Sequence, residues 1–244
     1  MTIDFDSLDY IAQLRKAGTR PSEKLVQRIL KLGDGAIAPL LQLATDDMLL
    51  AGEHHIAPIH ALRLLGELKS TAIIEPLLDS FPMDDGIEQR EQGEPAAPPE
   101  MWDQELPQIL GSLGEAAIEP LWAYADNREK DVSGRSTALT ALAYVTAVVP
   151  EQRAAIVAGL RERIANAANP ADAAYALIAL GNIGVAEAYS EVMALYKAEK
   201  IDREIISPGV ARQLLLSKGD KRLACAKHPL WERYDQHGPF SDYR

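Results

Sequence analysis

The chain has one cysteine, Cys225, among its 244 residues. No disulfide can form within it, and the cysteine spacings of structural zinc sites are missing. Aromatic residues make up only 6% and β-branched runs are scarce, while alanine and leucine abound. That balance favours packed helices over sheets, because alanine and leucine lose little on entering a helix. Basic residues are outnumbered, with 25 Lys and Arg against 36 Asp and Glu and a net charge of −11. A polyanion would be repelled on average, which argues against nucleic acid as a partner. No apolar run approaches the eighteen or so residues of a membrane span. The opening "MTIDFDSLDY" carries acid where a secretory signal needs base, so the reading is a cytoplasmic protein without membrane contact.

What the sequence does have is a repeat. "LGDGAIAPLLQL" (32–43) returns as "LGEAAIEPLWAY" (113–124) and, stretched by four residues, as "LGELKSTAIIEPLLDSF" (65–81). A weaker copy is "LGNIGVAEAYSEVMALY" (180–196). Aligned on Leu-Gly, one column holds Leu32, Leu65, Leu113, Leu142 and Leu180, and three residues earlier stand Ile29, Leu62, Leu110, Leu139 and Leu177. One helical turn separates the two columns, so together they predict a buried stripe. The next column, Gly33, Gly66, Gly114, Ala143 and Gly181, is read as the helix end, where glycine takes a left-handed conformation. A second helix then starts around Pro39, Pro76 and Pro120, with the middle proline expected deeper in its helix. Successive spacings of 33, 48, 29 and 38 residues suit helix–turn–helix repeats.

These phrases, "APIHALRLLGEL" and "LGEAAIEPL" above all, resemble the HEAT repeat family, in the bacterial HEAT-like type also seen in phycobilisome lyase subunits. They are also similar to a bacterial group in which an AP-x-HAL phrase precedes such repeats. The resemblance implies an all-α fold, an α-solenoid of about five helix pairs with capping helices. The expected organisation is a single domain: a cap helix in 1–20, repeats over 21–217, an acidic insert at 82–100, and a tail at 218–244 that folds back over the last repeat. Helix pairs are expected at 21–46, 55–81, 102–127, 132–166 and 170–199, with a closing helix near 207–217.

Three of the five histidines fall in "GEHHIAPIH" (52–60). His55 and His60 are five apart, about 140° around a helix, so they cannot form an i, i+4 zinc pair. His60 shares a repeat column with Gln27, Gln108, Thr137 and Tyr175, each a hydrogen-bonding side chain. That pattern predicts a polar tip that reaches a backbone carbonyl or a neighbouring repeat.

Other candidates point outward. From Asp84 to Glu105 eight acids (Asp84, Asp85, Glu88, Glu91, Glu94, Glu100, Asp103, Glu105) face only Arg90. With its proline and glycine, this insert reads as a solvated loop or an acidic arm for a basic partner. Glu75, Asp79 and Glu119 mark acid on second helices, which in HEAT stacks line the concave face. Trp122, aligned with Leu41 and Leu78, is expected in the core, and Tyr124, aligned with Leu43 and Ser80, is expected partly exposed and open to a partner.

No catalytic, cofactor or metal motif is visible. The sequence thus predicts a monomeric scaffold for a protein or peptide partner, needing no cofactor. Two alternatives are a subunit of a chromophore lyase or other modifying enzyme, and a HEAT-like nucleic-acid binder.

Overall fold

The computed structural model describes residues 5–50, 53–80 and 98–235. Among these the chain is 79% helix with no strand. Fifteen α-helices follow in order: α1 (Phe5–Arg15), α2 (Glu23–Lys31), α3 (Ile37–Ala44), α4 (Asp47–Leu50), α5 (Ala57–Leu68), α6 (Ile74–Asp79), α7 (Pro98–Ser112), α8 (Ile118–Asp126), α9 (Val132–Val148), α10 (Arg153–Ala165), α11 (Pro170–Ile183), α12 (Tyr189–Lys197), α13 (Pro208–Leu216), α14 (Gly219–Leu223) and α15 (Leu230–Asp235). The described residues fall into two compact units, one drawn from Met1–Ile109 and His228–Arg244, the other from Leu110–Lys227.

Helix starts follow local chemistry. Ser22, Asp131, Asn169 and Ser207 cap α2, α9, α11 and α13, each accepting a backbone N–H from the first turn. Pro170 and Pro208 open α11 and α13, where a missing N–H costs nothing. Short 3₁₀ turns lead into α3, α6, α8, α10 and α12. Pro39, Pro76 and Pro120 each occupy the third residue of their helix. Pro76 is therefore no deeper than the others. The extra residues of its repeat lengthen α5 instead, which runs to Leu68 before Lys69 turns left-handed at φ 55°.

Glycine serves two ends in this column. Gly33 and Gly114 have φ of 56° and 76° and terminate their helices as expected. Gly66 and Gly181 instead lie inside α5 and α11. A Cβ on Gly66 would come within 2.9 Å of Ile109 Cγ2, and one on Gly181 within 2.8 Å of Leu214 Cβ. There the missing side chain lets helices approach closely.

In the first unit, α3 packs on α5, and α1 lies against α2, α3 and α5. Its core includes Leu14, Val26, Ile29, Leu40, Ile59, Leu62, Leu65 and Leu77, all fully buried. Trp102 is also fully buried, and its Nε1–H donates at 2.8 Å to the Ala44 carbonyl, an orphan acceptor at the end of α3. In the second unit α8 packs on α9, α9 and α11 pack side by side, α10 contacts both, and α13 adds to α11. Buried alanines (138, 141, 143, 173, 174, 176 and 179) line α9 and α11. Residues 219–227 pack on α9 and α11, whereas α15 belongs to the first unit.

Candidate functional site

The densest polar chemistry sits in the first unit, where α5, α7, α15 and the link between α1 and α2 converge. His60 is fully buried on α5, beside Arg63 at 1% exposure one turn later. Its Nε2 lies 2.8 Å from the Gly18 carbonyl, which can only accept. The ring is therefore the Nε2–H tautomer, and its Nδ1 accepts from the Tyr234 hydroxyl at 2.8 Å. Burial, reinforced by the Arg63 charge and opposed by the Gly18 hydrogen bond, lowers the His60 pKa to about 4. The imidazole is neutral at physiological pH.

Arg63 completes the chain of contacts. Its Nε donates to both Glu105 oxygens at 3.0 and 2.8 Å, and its Nη2 pairs with Oε1 of the same carboxylate. Burial alone would lower the Arg63 pKa, but the Glu105 carboxylate overcomes this and the guanidinium is held charged. The same guanidinium lies 4.4 Å from the Tyr234 ring centroid. Burial pushes the Tyr234 phenol well above its ordinary range, so it stays protonated and donates to His60. A continuous polar path thus runs Glu105, Arg63, Tyr234, His60, Gly18.

The rest of α15 is held by the same unit. Arg233, buried at 6% exposure, donates from Nε to the His228 carbonyl at 3.1 Å and from Nη1 to Gln108 Oε1 at 3.2 Å. Arg20 grips Asp235 through Nε at 2.8 Å and stacks 4.5 Å from the Trp231 ring centroid. His60 and Gln108 occupy equivalent positions in successive repeats, and they receive Tyr234 and Arg233, successive residues of α15. The polar column thus works as a two-rung ladder. Its other members differ: Gln27 is exposed, Tyr175 half-buried, and Thr137 buried.

The second unit has a cleft of about 370 Å³. Ala125, Leu139 and Ala176 form its apolar lining, and Arg128, Arg135, Arg163, Asp126, Glu162 and Asp172 its charged rim. Most of these charges hold each other. Arg135 donates to the Ala125 carbonyl at 3.0 Å and to Asp172 at 3.3 Å. Arg163 grips Asp126 at 2.8 Å through Nε and lies 3.7 Å over the Trp122 ring.

The sequence candidates are spread over both units. Glu75 and Asp79 are exposed one turn apart on α6, and Glu119 is exposed on α8. Tyr124 is corrected: it is 6% exposed, and Trp122 is the half-buried partner of Arg163. Burial on α8 follows Leu121, Tyr124 and Ala125, as on α3 it follows Leu40, Leu43 and Ala44, so the stripe lies at Tyr124 and Leu43. Glu105 is corrected too. It belongs to a buried ion pair, not to a solvated acidic run. Asp84, Asp85, Glu88, Glu91 and Glu94 lie outside the described residues.

Arg63 and Arg20 carry no signal in the repeat pattern, while Glu105 is read there only as one of the acids, and Arg233 and Tyr234 only as part of the tail over the last repeat. The available signal was Arg63, a lone charge in the apolar run from Ala57 to Leu65. Among the described residues no cluster of three His, Cys, Asp or Glu could hold a metal ion, and no helix is long and apolar enough to cross a membrane. No protein-family model, curated protein or solved structure matches the chain.

Proposed function

We propose that this chain is a HEAT-like scaffold: five helix pairs stacked as an α-solenoid that binds a protein or peptide partner without catalysing a reaction. The observation that carries the reading is the seat of α15, where equivalent positions of two repeats hold a short helix of no repeat character. Two further features support it. The column of Ile29, Leu62, Leu110, Leu139 and Leu177 is buried in every pair, and the first helices α9 and α11 and the closing helix α13 pack in succession within their unit. The exposed acids Glu75, Asp79 and Glu119, with the acidic insert, suit a basic partner surface. In this reading the protein works as a cytoplasmic monomer.

Affinity capture from native lysate, read by mass spectrometry, tests the proposal. The wild type is expected to enrich a discrete partner. Loss of that partner on deleting residues 84–100 would assign recognition to the insert, and loss with E75K, D79K and E119K together would assign it to the second helices. A chain that enriches no protein contradicts the scaffold reading. The second reading, a subunit of a modifying enzyme, draws on the cleft beside Arg128 and Glu162 and predicts a retained small molecule, visible as absorbance if it is a tetrapyrrole.

A further inference from the structure

The seat of α15 has properties that a permanent core contact does not need. Every group it offers at the centre is polar: the His60 imidazole, the Arg63 guanidinium with its Glu105 carboxylate, and the Gln108 amide. Buried ion pairs stabilise a fold less than apolar side chains of similar volume, so stability alone does not account for them. They do impose a strict demand on what sits there. A phenol hydroxyl satisfies His60 Nδ1, and its ring face meets Arg63. An indole face and a carboxylate together satisfy Arg20 at the rim.

The occupant is equally telling. The helix α15 has six residues and follows Pro229, too short to be helical on its own. Its spacing is that of a recognition helix, with Trp231 one turn before Tyr234 and Asp235 next to it. It comes from a position 174 residues away from His60. It is bound as a ligand would be.

We infer that this seat is a helix-binding site, that its external occupant is a short partner helix bearing Trp-x-x-Tyr-Asp chemistry, and that α15 is the competitor supplied by the chain itself. The inference rests on the scaffold reading and names where and what the scaffold binds. Because a tethered segment acts at a high effective concentration, free ligand meets an occupied seat in the wild type. Weakening α15 frees it.

The test is fluorescence anisotropy with a labelled peptide of residues 228–244, titrated with the full-length wild type, Tyr234→Ala and Asp235→Arg. Tyr234→Ala removes the central anchor. Asp235→Arg sets a cation against Arg20 at the half-exposed rim and leaves the receiving side chains intact. The expected order is tightest binding by Tyr234→Ala, at least tenfold above the wild type, with Asp235→Arg between. A peptide with phenylalanine in place of its Tyr234 should bind about tenfold more weakly, having lost its hydrogen bond to His60. Equal binding by all three chains, or none by variants that circular dichroism shows to be helical, overturns the inference. Should Tyr234→Ala lose its helicity, Asp235→Arg decides alone. A lysate partner captured equally by the wild type and Asp235→Arg, and not displaced by the peptide, removes the seat as the partner site while leaving the scaffold reading in place.

Discussion

The two units use one repeat pattern in opposite ways. In the second unit the first helices meet through alanine and glycine: Gly181 lies against Leu214, and a Cβ on Gly111 would come within 2.4 Å of Tyr144 Cβ. Charge there stays at helix ends, in pairs such as Arg135 with Asp172 and Arg161 with Glu191. In the first unit the corresponding helices bury an arginine, a glutamate and a histidine and hand them a helix from the chain terminus. The Leu and Ile columns alone build the repeat. Polar positions between them are free to vary, and the first unit uses them to seat α15.

That contrast implies very different costs for single substitutions. The largest is expected at the buried pair. Glu105→Ala leaves the Arg63 charge buried without its carboxylate and should cost about 3–5 kcal/mol in urea unfolding. Adding Arg63→Met should recover most of the loss, because an apolar pair avoids the desolvation. A double variant as unstable as the single one would show that the pair contributes specific stability.

Acid should also separate the units. The folded pKa of His60, about 4, lies below its ordinary 6.5, so the folded state binds fewer protons than the unfolded chain in this window. Stability from this group is complete above pH 6.5 and declines as pH falls towards 4. The loss is about 2 kcal/mol by pH 5. His60→Gln, which has the side chain found at Gln27 and Gln108, should remove that part of the slope. An unchanged pH profile in His60→Gln would show that His60 is not held neutral.

Smaller effects are expected in the second unit. Gly181→Ala meets Leu214 Cβ, an atom fixed close to the backbone, and should cost about 1–3 kcal/mol. In the first unit, Gly66→Ala meets the Cγ2 methyl of Ile109 at 2.9 Å, one bond further from the backbone than Leu214 Cβ, and should cost less. The reverse order in thermal unfolding would contradict the close-approach account. The smallest effect is predicted for Arg163→Ala. Its pair with Asp126 is 28% and 54% exposed, so the loss should stay below about 1 kcal/mol and shrink further in salt.

Much of the helical layout was legible in the sequence. Leu-Gly phrases and the repeat prolines act within one or two turns, so they mark the ends of α2 and α7 and the starts of α3, α6 and α8 closely. The polar role of His60 was legible as well, since its column pointed to a backbone carbonyl, and Gly18 supplies one. What escaped was non-local. Nothing near residues 230–235 says that Tyr234 will meet His60 and not cap the last repeat. Glu105 is masked by composition: it ends a run of acids, although its place three residues before Gln108 lies on the buried side of α7. Trp122 shares a column with Leu41 and Leu78, which points it inward, and Tyr124 one with Leu43 and Ser80, whose serine points it outward. The spacing from Leu40 and Leu121 puts Leu43 and Tyr124 inside.

The central claim is that the terminal helix is held by the polar column of the first unit. A double-mutant cycle between His60→Ala and Tyr234→Phe, followed by urea unfolding, tests it most directly. The account predicts a coupling of about 1 kcal/mol or more between residues 174 apart in sequence. Strictly additive losses would contradict it, and α15 would then owe its place to something other than this ladder.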